Sequence, residues 1–290
     1  MFLQQLVNGI TVGAIYAMVA LGYSMVYGVL QIVNWAHADV LMFGTFIGLI
    51  LTNVFHMPLL AMVVLAATFT AVLAMGVELI AYRPIKSSNR RMAVLVSALG
   101  MSTFLQNLAQ LIFGSSSQPF PTIEKVNYTI ASVTFTNIQV IILGITAMML
   151  LILYLVVYKS KIGIAMRACS VSIPNAKLMG INTNFIISLT FGIGAFMSGI
   201  AGICIATYYN AVYPTMGYLL GMKAFSAAIL GGIGSIPGSV LGGFVIGTIE
   251  SLGAGYLSSG YRDAYAFVVM ILVLAIRPAG FLGAKRIDKV

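Results

Sequence analysis

The sequence predicts an all-α, polytopic membrane protein with about eight to nine transmembrane helices, some of them short or broken. Three observations carry this. Hydrophobic residues make up 60% of the 290 and charged residues only 7%, whereas an ordinary soluble domain carries about 25% charged residues. The apolar residues are gathered into long runs, and at roughly 20 residues per crossing they suffice for eight or nine. The basic residues lie between those runs in a few clusters. Six acidic and fifteen basic side chains cannot cover the surface of a soluble globule of this size. A soluble enzyme, a disordered tail protein and a coiled coil are therefore excluded.

The first apolar run spans 6–29. It is preceded by Met1-Phe2-Leu3-Gln4-Gln5, which has no positive region, and no small-residue cleavage site follows, so an uncleaved span is expected. Further runs cover 38–52, 59–82, 93–113, 138–158, 185–208, 219–232, 237–253 and 264–277. Three of them, 38–52, 219–232 and 237–253, are short for a bilayer of about 30 Å. Short, glycine-interrupted helices occur where transporters break helices around a path.

Arg83, Lys86, Arg90 and Arg91 share one connection, and Lys159, Lys161, Arg167 and Lys177 share another. Arg277, Lys285, Arg286 and Lys289 end the chain. The positive-inside rule assigns these three segments to the cytoplasm, giving nine crossings with the N-terminus outside and the C-terminus inside. The connections 114–137 and 209–218 then face outside and hold only the Glu124-Lys125 pair. Loop 114–137 contains Ser115 to Ser117, Pro119, Pro121 and a strand-like stretch from Ser132 to Thr136. A loop this long is functional or flexible.

Catalytic chemistry is missing. The nearest approach to a phosphate loop, Gly217 to Lys223, is a residue short, and no Gly-x-Ser-x-Gly elbow occurs. His37 and His56 are the only histidines and form no His-Glu-x-x-His pair, and a metal or nucleophilic site would need more ligands or bases than the chain offers. Cys169 and Cys204 are too few for a disulfide framework. No catalytic residue, metal site or cofactor is expected, nor nucleic acid as a partner, because the +9 net charge sits in membrane-flanking segments. Ionisable residues within apolar runs point to function by default: Asp39, Glu78, Lys223 and Glu250. Glu78, a turn before Tyr82-Arg83, is expected to snorkel to the interface. Asp39 is expected near the cytoplasmic start of a short span. Lys223 and Glu250 fall on neighbouring runs and either pair internally or lie at separate depths.

Three segments stand out. Asn34-Trp35-Ala36-His37-Ala38-Asp39 gathers polar residues between one span and the next, where Asn34, His37 and Asp39 can satisfy open backbone groups. In 163–181, Ser172 can cap a helix, Pro174 fits its first turn and Gly180 can end it. The resulting helix of about two turns is too short to be stable alone and suits a socket in a motor subunit or an interface. In Gly231-Gly232-Ile233-Gly234-Ser235-Ile236-Pro237-Gly238, Pro237 should break the run, leaving a tight turn between two short helices. Gly234, Gly238 and Gly242 on one face permit close backbone packing.

Together these segments resemble the LivH-type permease subunit of bacterial branched-chain amino-acid ABC importers. The resemblance runs from Gly9-x-x-x-Gly13-x-x-Tyr16-Ala17 to Arg277-Pro278-Ala279-Gly280-Phe281-Leu282-Gly283. Its most specific pieces are 34–39, Met222-Lys223-Ala224-Phe225 and Leu230 to Gly238. Trp35 and Ala38 stand where the family usually has Phe and Gly, and Ser172-Ile173-Pro174 where an acidic residue usually precedes the helix. The resemblance implies a single transmembrane permease domain over 1–290 in a bacterial inner membrane, moving Leu, Ile or Val inward by ATP-driven alternating access. It also implies a homologous LivM-type second permease, two cytoplasmic ATPase subunits that use ATP and Mg, and a periplasmic substrate-binding protein. Segment 159–184 would couple to the ATPase through Arg167, Ala168, Ser172, Asn175, Ala176, Lys177 and Gly180. Asn34, His37, Asp39, Lys223, Gly231, Gly232, Gly234, Pro237 and Gly238 would line or brace the path. Some family members carry urea or short amides, and a gradient-driven transporter without ATPases is the alternative class.

Overall fold

The computed structural model describes residues 1–85, 89–121, 124–130 and 133–283. Nine apolar helices coincide with the nine expected runs: α1 (Phe2–Leu30), α2 (His37–Asn53), α3 (Leu59–Val77), α4 (Arg90–Phe113), α5 (Asn137–Tyr154), α8 (Thr183–Tyr209), α9 (Met216–Gly231), α10 (Ile236–Tyr256) and α11 (Arg262–Ile276). Between α5 and α8 lie two surface helices, α6 (Lys161–Val171) and α7 (Ile173–Leu178). Single π-turns, Glu78–Tyr82 and Leu155–Lys159, prolong α3 and α5. Counting these extensions, and a 3-10 turn before α11, seven helices among the described residues are long and apolar enough to cross a membrane.

Only α2 and α9 are shorter. The expectation that 237–253 is a third short span is corrected: α10 has 21 residues, about 31 Å at 1.5 Å per residue. Pro237 lies in its first turn, where the missing N–H has no intrahelical partner to lose, and so starts the helix rather than breaking it.

The core is a central bundle of α1, α8, α9 and α10 with α2 and α3 against it, while α4, α5 and α11 are mostly exposed. Helix α1 is the spine, buried along most of its length and packed chiefly on α10. The crossing is glycine on glycine: Gly9 and Gly13 of α1 oppose Gly247 and Gly243 of α10. A methyl group on Gly13 would lie 2.8 Å from the Phe244 Cα. Bare backbone on both faces brings the helices closer than larger residues permit, the means of packing available where lipid removes the hydrophobic drive.

The helix ends sort into two sets. At one end, Arg91 donates to Gln31 (2.6 Å) and Arg83 to the Ser188 hydroxyl (2.5 Å), bringing α1, α3, α4 and α8 together. The described basic residues of the three clusters lie in this set of ends or in α6 and α7; Lys86, Lys285, Arg286 and Lys289 fall outside the described residues. At the other end, strands β1 (Asn127–Ile130) and β2 (Val133–Thr136) form an antiparallel hairpin. Gln4 at the start of α1 clasps Thr134 through both its side-chain amide groups (2.7 and 2.8 Å). Thr136 opens α5 with a reciprocal capping box to Gln139. The expected strand therefore begins at Val133, with β1 as an unforeseen partner; Ser132 lies outside the described residues.

Candidate functional site

The first polar group surrounds the start of α2. The Asn34 side-chain oxygen accepts from the Tyr82 hydroxyl (2.7 Å), and His37 Nε2 meets the Ser198 hydroxyl (2.6 Å). Asp39 accepts from Ser102 (2.5 Å) and Gln106 (3.0 Å). Two expectations change. These side chains do not cap α2, whose first turn has no side-chain cap; they cross to α3, α4 and α8 instead. Nor is Asp39 near a membrane face: its partners lie midway along α4, as Ser198 does along α8. Gly217 and Gly221 of α9 pack on Ala38, so the two short helices meet at their N-termini inside the bundle.

Glu78 is also corrected. It does not snorkel but is buried, 3% exposed. It accepts two hydrogen bonds from Arg83 (3.1 and 2.8 Å) and one from Ser188 (2.6 Å). The π-turn carrying it thus ties α3 to α8.

The glycine segment 231–238 is the α9–α10 turn. Gly232 and Gly234 have φ of +101° and +91°, conformations costly for other residues, and Ser235 caps α10 by accepting from the Gly238 N–H (3.3 Å). Gly231 and Gly238 touch backbone to backbone, and Gly234 rests on Gly28 of α1. The chain after α11 returns here: Phe281 N–H donates to the Leu230 carbonyl and Leu282 N–H to that of Gly231, both 2.9 Å. These bonds satisfy the last carbonyls of α9. This turn lies two helical turns beyond Lys223; the structure does not bring the two together.

Lys223 instead belongs to a charge cluster at the hairpin end. Glu250, fully buried in α10, accepts from Lys223 (2.9 Å) and Arg262 (2.7 Å) through Oε1 and from the Tyr16 hydroxyl (2.8 Å) through Oε2. Lys223 also pairs with Asp263 at 2.6 Å. Four helices, α1, α9, α10 and α11, contribute. Charge removed from water this far is tolerable only when paired on every side. The cluster forms one wall of a cavity of about 350 Å³, otherwise lined chiefly by Ile205, Tyr209, Tyr213, Met216 and Leu220. In the connection after α8, burial raises the Tyr213 phenol above its ordinary value, and neighbouring Asp263 adds to the rise. Sequence reasoning left the Lys223–Glu250 pair open and missed Arg262 and Asp263. The available signal was an adjacent charged pair in a connection otherwise poor in charge.

In the surface segment, Ser160 caps α6 and Ser172 caps α7 by accepting from Gly163 and Asn175. Gly180, at φ +82°, follows the end of α7. Arg167 bends back to the Val157 carbonyl and lies over the Tyr158 ring. Ala168 is half-buried and Ala176 buried, whereas Asn175, Lys177 and Gly180 are exposed with Val171, Leu178 and Met179. The expected two-turn helix is thus a six-residue helix, preceded by an unforeseen α6. Among the described residues, no group of three or more His, Cys, Asp or Glu is arranged to hold a metal ion.

Residues 5–274 match the family described as branched-chain amino acid transport system / permease component. The chain is 41% identical to the high-affinity branched-chain amino acid transport system permease protein BraD of Pseudomonas aeruginosa, over 100% of its own length and 98% of the relative's. It is 39% identical, with the same coverage, to the permease protein LivH of Escherichia coli K12. A solved structure of PsaBC from Streptococcus pneumoniae in complex with Fab has a chain that superposes with a TM-score of 0.51 at 16% identity. That match covers 96% of this chain and 93% of the other, a likeness of fold.

Proposed function

Because the chain belongs to the branched-chain amino acid transport system permease family, we propose that it is the membrane subunit of an ABC importer carrying Leu, Ile and Val into the cytoplasm. The observation that carries this reading is the end-to-end likeness to BraD and LivH, with coverage close to the full length of both proteins. The chain works beside a homologous permease and two cytoplasmic ATPases, and receives substrate from a periplasmic binding protein. It resides in a bacterial inner membrane, with the basic ends, α6 and α7 in the cytoplasm and the β-hairpin outside. The clustering of Arg83, Arg90, Arg91, Lys159, Lys161, Arg167, Lys177 and Arg277 supports that sidedness.

Helices α6 and α7 form the coupling surface. Val171, Leu178 and Met179 are 87%, 85% and 83% exposed, beside the Lys177 charge. Apolar side chains so exposed at the ends of α6 and α7 find their burial on a partner subunit. When the ATPases close, movement of α6 passes to the bundle through its contacts with α1 and α8. The meeting of α2 and α9 inside the bundle is the part of the path where backbone ends and polar side chains converge; Asn34, His37 and Asp39 line it. Lys223 lies nearer the outer mouth. The turn 231–238 braces the path rather than lining it.

Reconstitution of the five-part importer in proteoliposomes tests this. Leucine, isoleucine and valine should accumulate with the binding protein outside and ATP inside, and not without ATP. Uptake by the lone chain on an ion gradient would overturn the reading. Preference for urea or short amides over leucine would keep the machine and change the cargo. Lys223→Ala should lower uptake several-fold per assembled complex.

A further inference from the structure

The charge cluster joins four helices, and one side of it is open. Lys223 and Glu250 are sealed, with 9% and 1% of their side chains exposed, whereas Arg262 and Asp263 are 34% and 53% exposed. The two exposed charges stand at the rim of the cavity and the two sealed ones lie behind them. Resting on the amino-acid import proposed above, we propose that Lys223, Glu250, Arg262 and Asp263 form an outer station that binds the backbone ammonium and carboxylate of a free amino acid, its side chain lying along Ile205, Met216, Leu219 and Leu220.

Charge balance favours this ligand class. Two cations and two anions make the station neutral, so a zwitterion enters without adding net charge to a poorly hydrated site. A lone carboxylate would forgo the contact with Asp263, and a lone ammonium the contacts with Lys223 and Arg262, so each loses a charged partner that the zwitterion keeps. The pairing offers an exchange. Lys223 Nζ holds Asp263 at 2.6 Å and Glu250 at 2.9 Å. A ligand carboxylate can take the place of Asp263 on Lys223, with Arg262 as second donor. The released Asp263 then accepts from the ligand ammonium. Glu250 keeps Tyr16 and Arg262 throughout, so the floor does not come apart. The volume, about 350 Å³, falls at the small end of the roughly 300–1,000 Å³ typical of small-molecule pockets. Ile205, Met216, Leu219 and Leu220 line the same cavity, as an aliphatic amino acid requires.

The test uses the assembled importer in lipid nanodiscs without its binding protein, so that recognition by that protein does not enter. Thermal unfolding is followed with millimolar leucine, leucinamide (no carboxylate) or 4-methylpentanoate (no ammonium). Leucine should raise the midpoint, and the two truncated compounds should need at least about tenfold higher concentration for the same rise, the order expected for losing one charged contact. In Arg262→Gln and Asp263→Asn, each judged against its own ligand-free midpoint, the leucine concentration required should rise about tenfold. If Arg262→Gln does not assemble, Asp263→Asn at the exposed rim carries the comparison alone. Equal stabilisation by all three compounds, no stabilisation by leucine, or an unchanged leucine response in Asp263→Asn overturns the station. Parallel uptake assays separate the two proposals: leucine import with no leucine effect on unfolding removes only the station, whereas wild-type complex that imports no amino acid removes the function on which it rests.

Discussion

Helices α9 and α10 meet twice, by opposite means. At the basic end they join through Gly231 and Gly238, backbone on backbone, with Gly242 beside the Ala227 carbonyl. At the hairpin end they join through Lys223 and Glu250, charge on charge, with Tyr16, Arg262 and Asp263 completing the set. Close packing needs only small residues in regular register, so the first contact appears as a motif in consecutive sequence. The second needs particular functional groups from four helices and leaves no local pattern. The conspicuous motif packs backbone on backbone, and the dispersed group gathers four charged side chains at a cavity wall.

The largest effect should come from adding bulk where the backbones touch. Gly238→Val, or Gly247→Leu at the α1–α10 crossing, leaves no room for the new atoms and should abolish assembled protein, read by immunoblot of membranes. Normal assembly of both would mean that glycine is not what brings these helices together. Next comes Glu250→Ala, which takes from Arg262 its carboxylate and leaves Lys223 with Asp263 alone; breaking a buried pair typically costs about 3–5 kcal/mol, and a clear fall in the unfolding midpoint is expected. Glu250→Gln, similar in shape, should recover part of that loss in stability but not transport. Tyr16→Phe removes a single hydrogen bond to a charged group, about 1.5–3 kcal/mol, and should lower the midpoint less than Glu250→Ala does. The smallest effect belongs to Pro237→Ala. A proline in the first helical turn is readily replaced, so stability should change by under about 1 kcal/mol; a larger loss would restore Pro237 as a helix breaker.

All nine apolar helices were legible, because hydropathy runs from Phe2 to Ile276 are long and the connections between them are polar or glycine-rich. The α7 cap at Ser172 and the turn at Gly232–Ser235 were legible because capping and left-handed backbone depend on one or two neighbouring residues. Depth was not. Asp39 sits next to the chain's exit from α1, yet the stretch 31–36 turns back into the bundle and carries Asp39 to the middle of α4, a tertiary path invisible to hydropathy. Strand β1 was missed because Asn127–Ile130 is short and gains its order from β2. Glu78 was misjudged for a related reason: its proximity to Arg83 was visible, but Ser188, 110 residues onward, closes the pair off from water.

The α1–α10 crossing also dictates an order of events during synthesis. Helix α1 leaves the ribosome first, yet the glycines it packs against follow roughly 230 residues later. At about 5–20 residues per second, the oldest helix waits roughly ten to fifty seconds for its principal neighbour. Throughout that interval Gly9, Gly13 and the hydroxyls of Tyr16 and Ser24 lack their final partners. The bundle therefore cannot close around its spine until nearly all of the chain has been made, and a truncation before α10 would leave α1 without its principal neighbour.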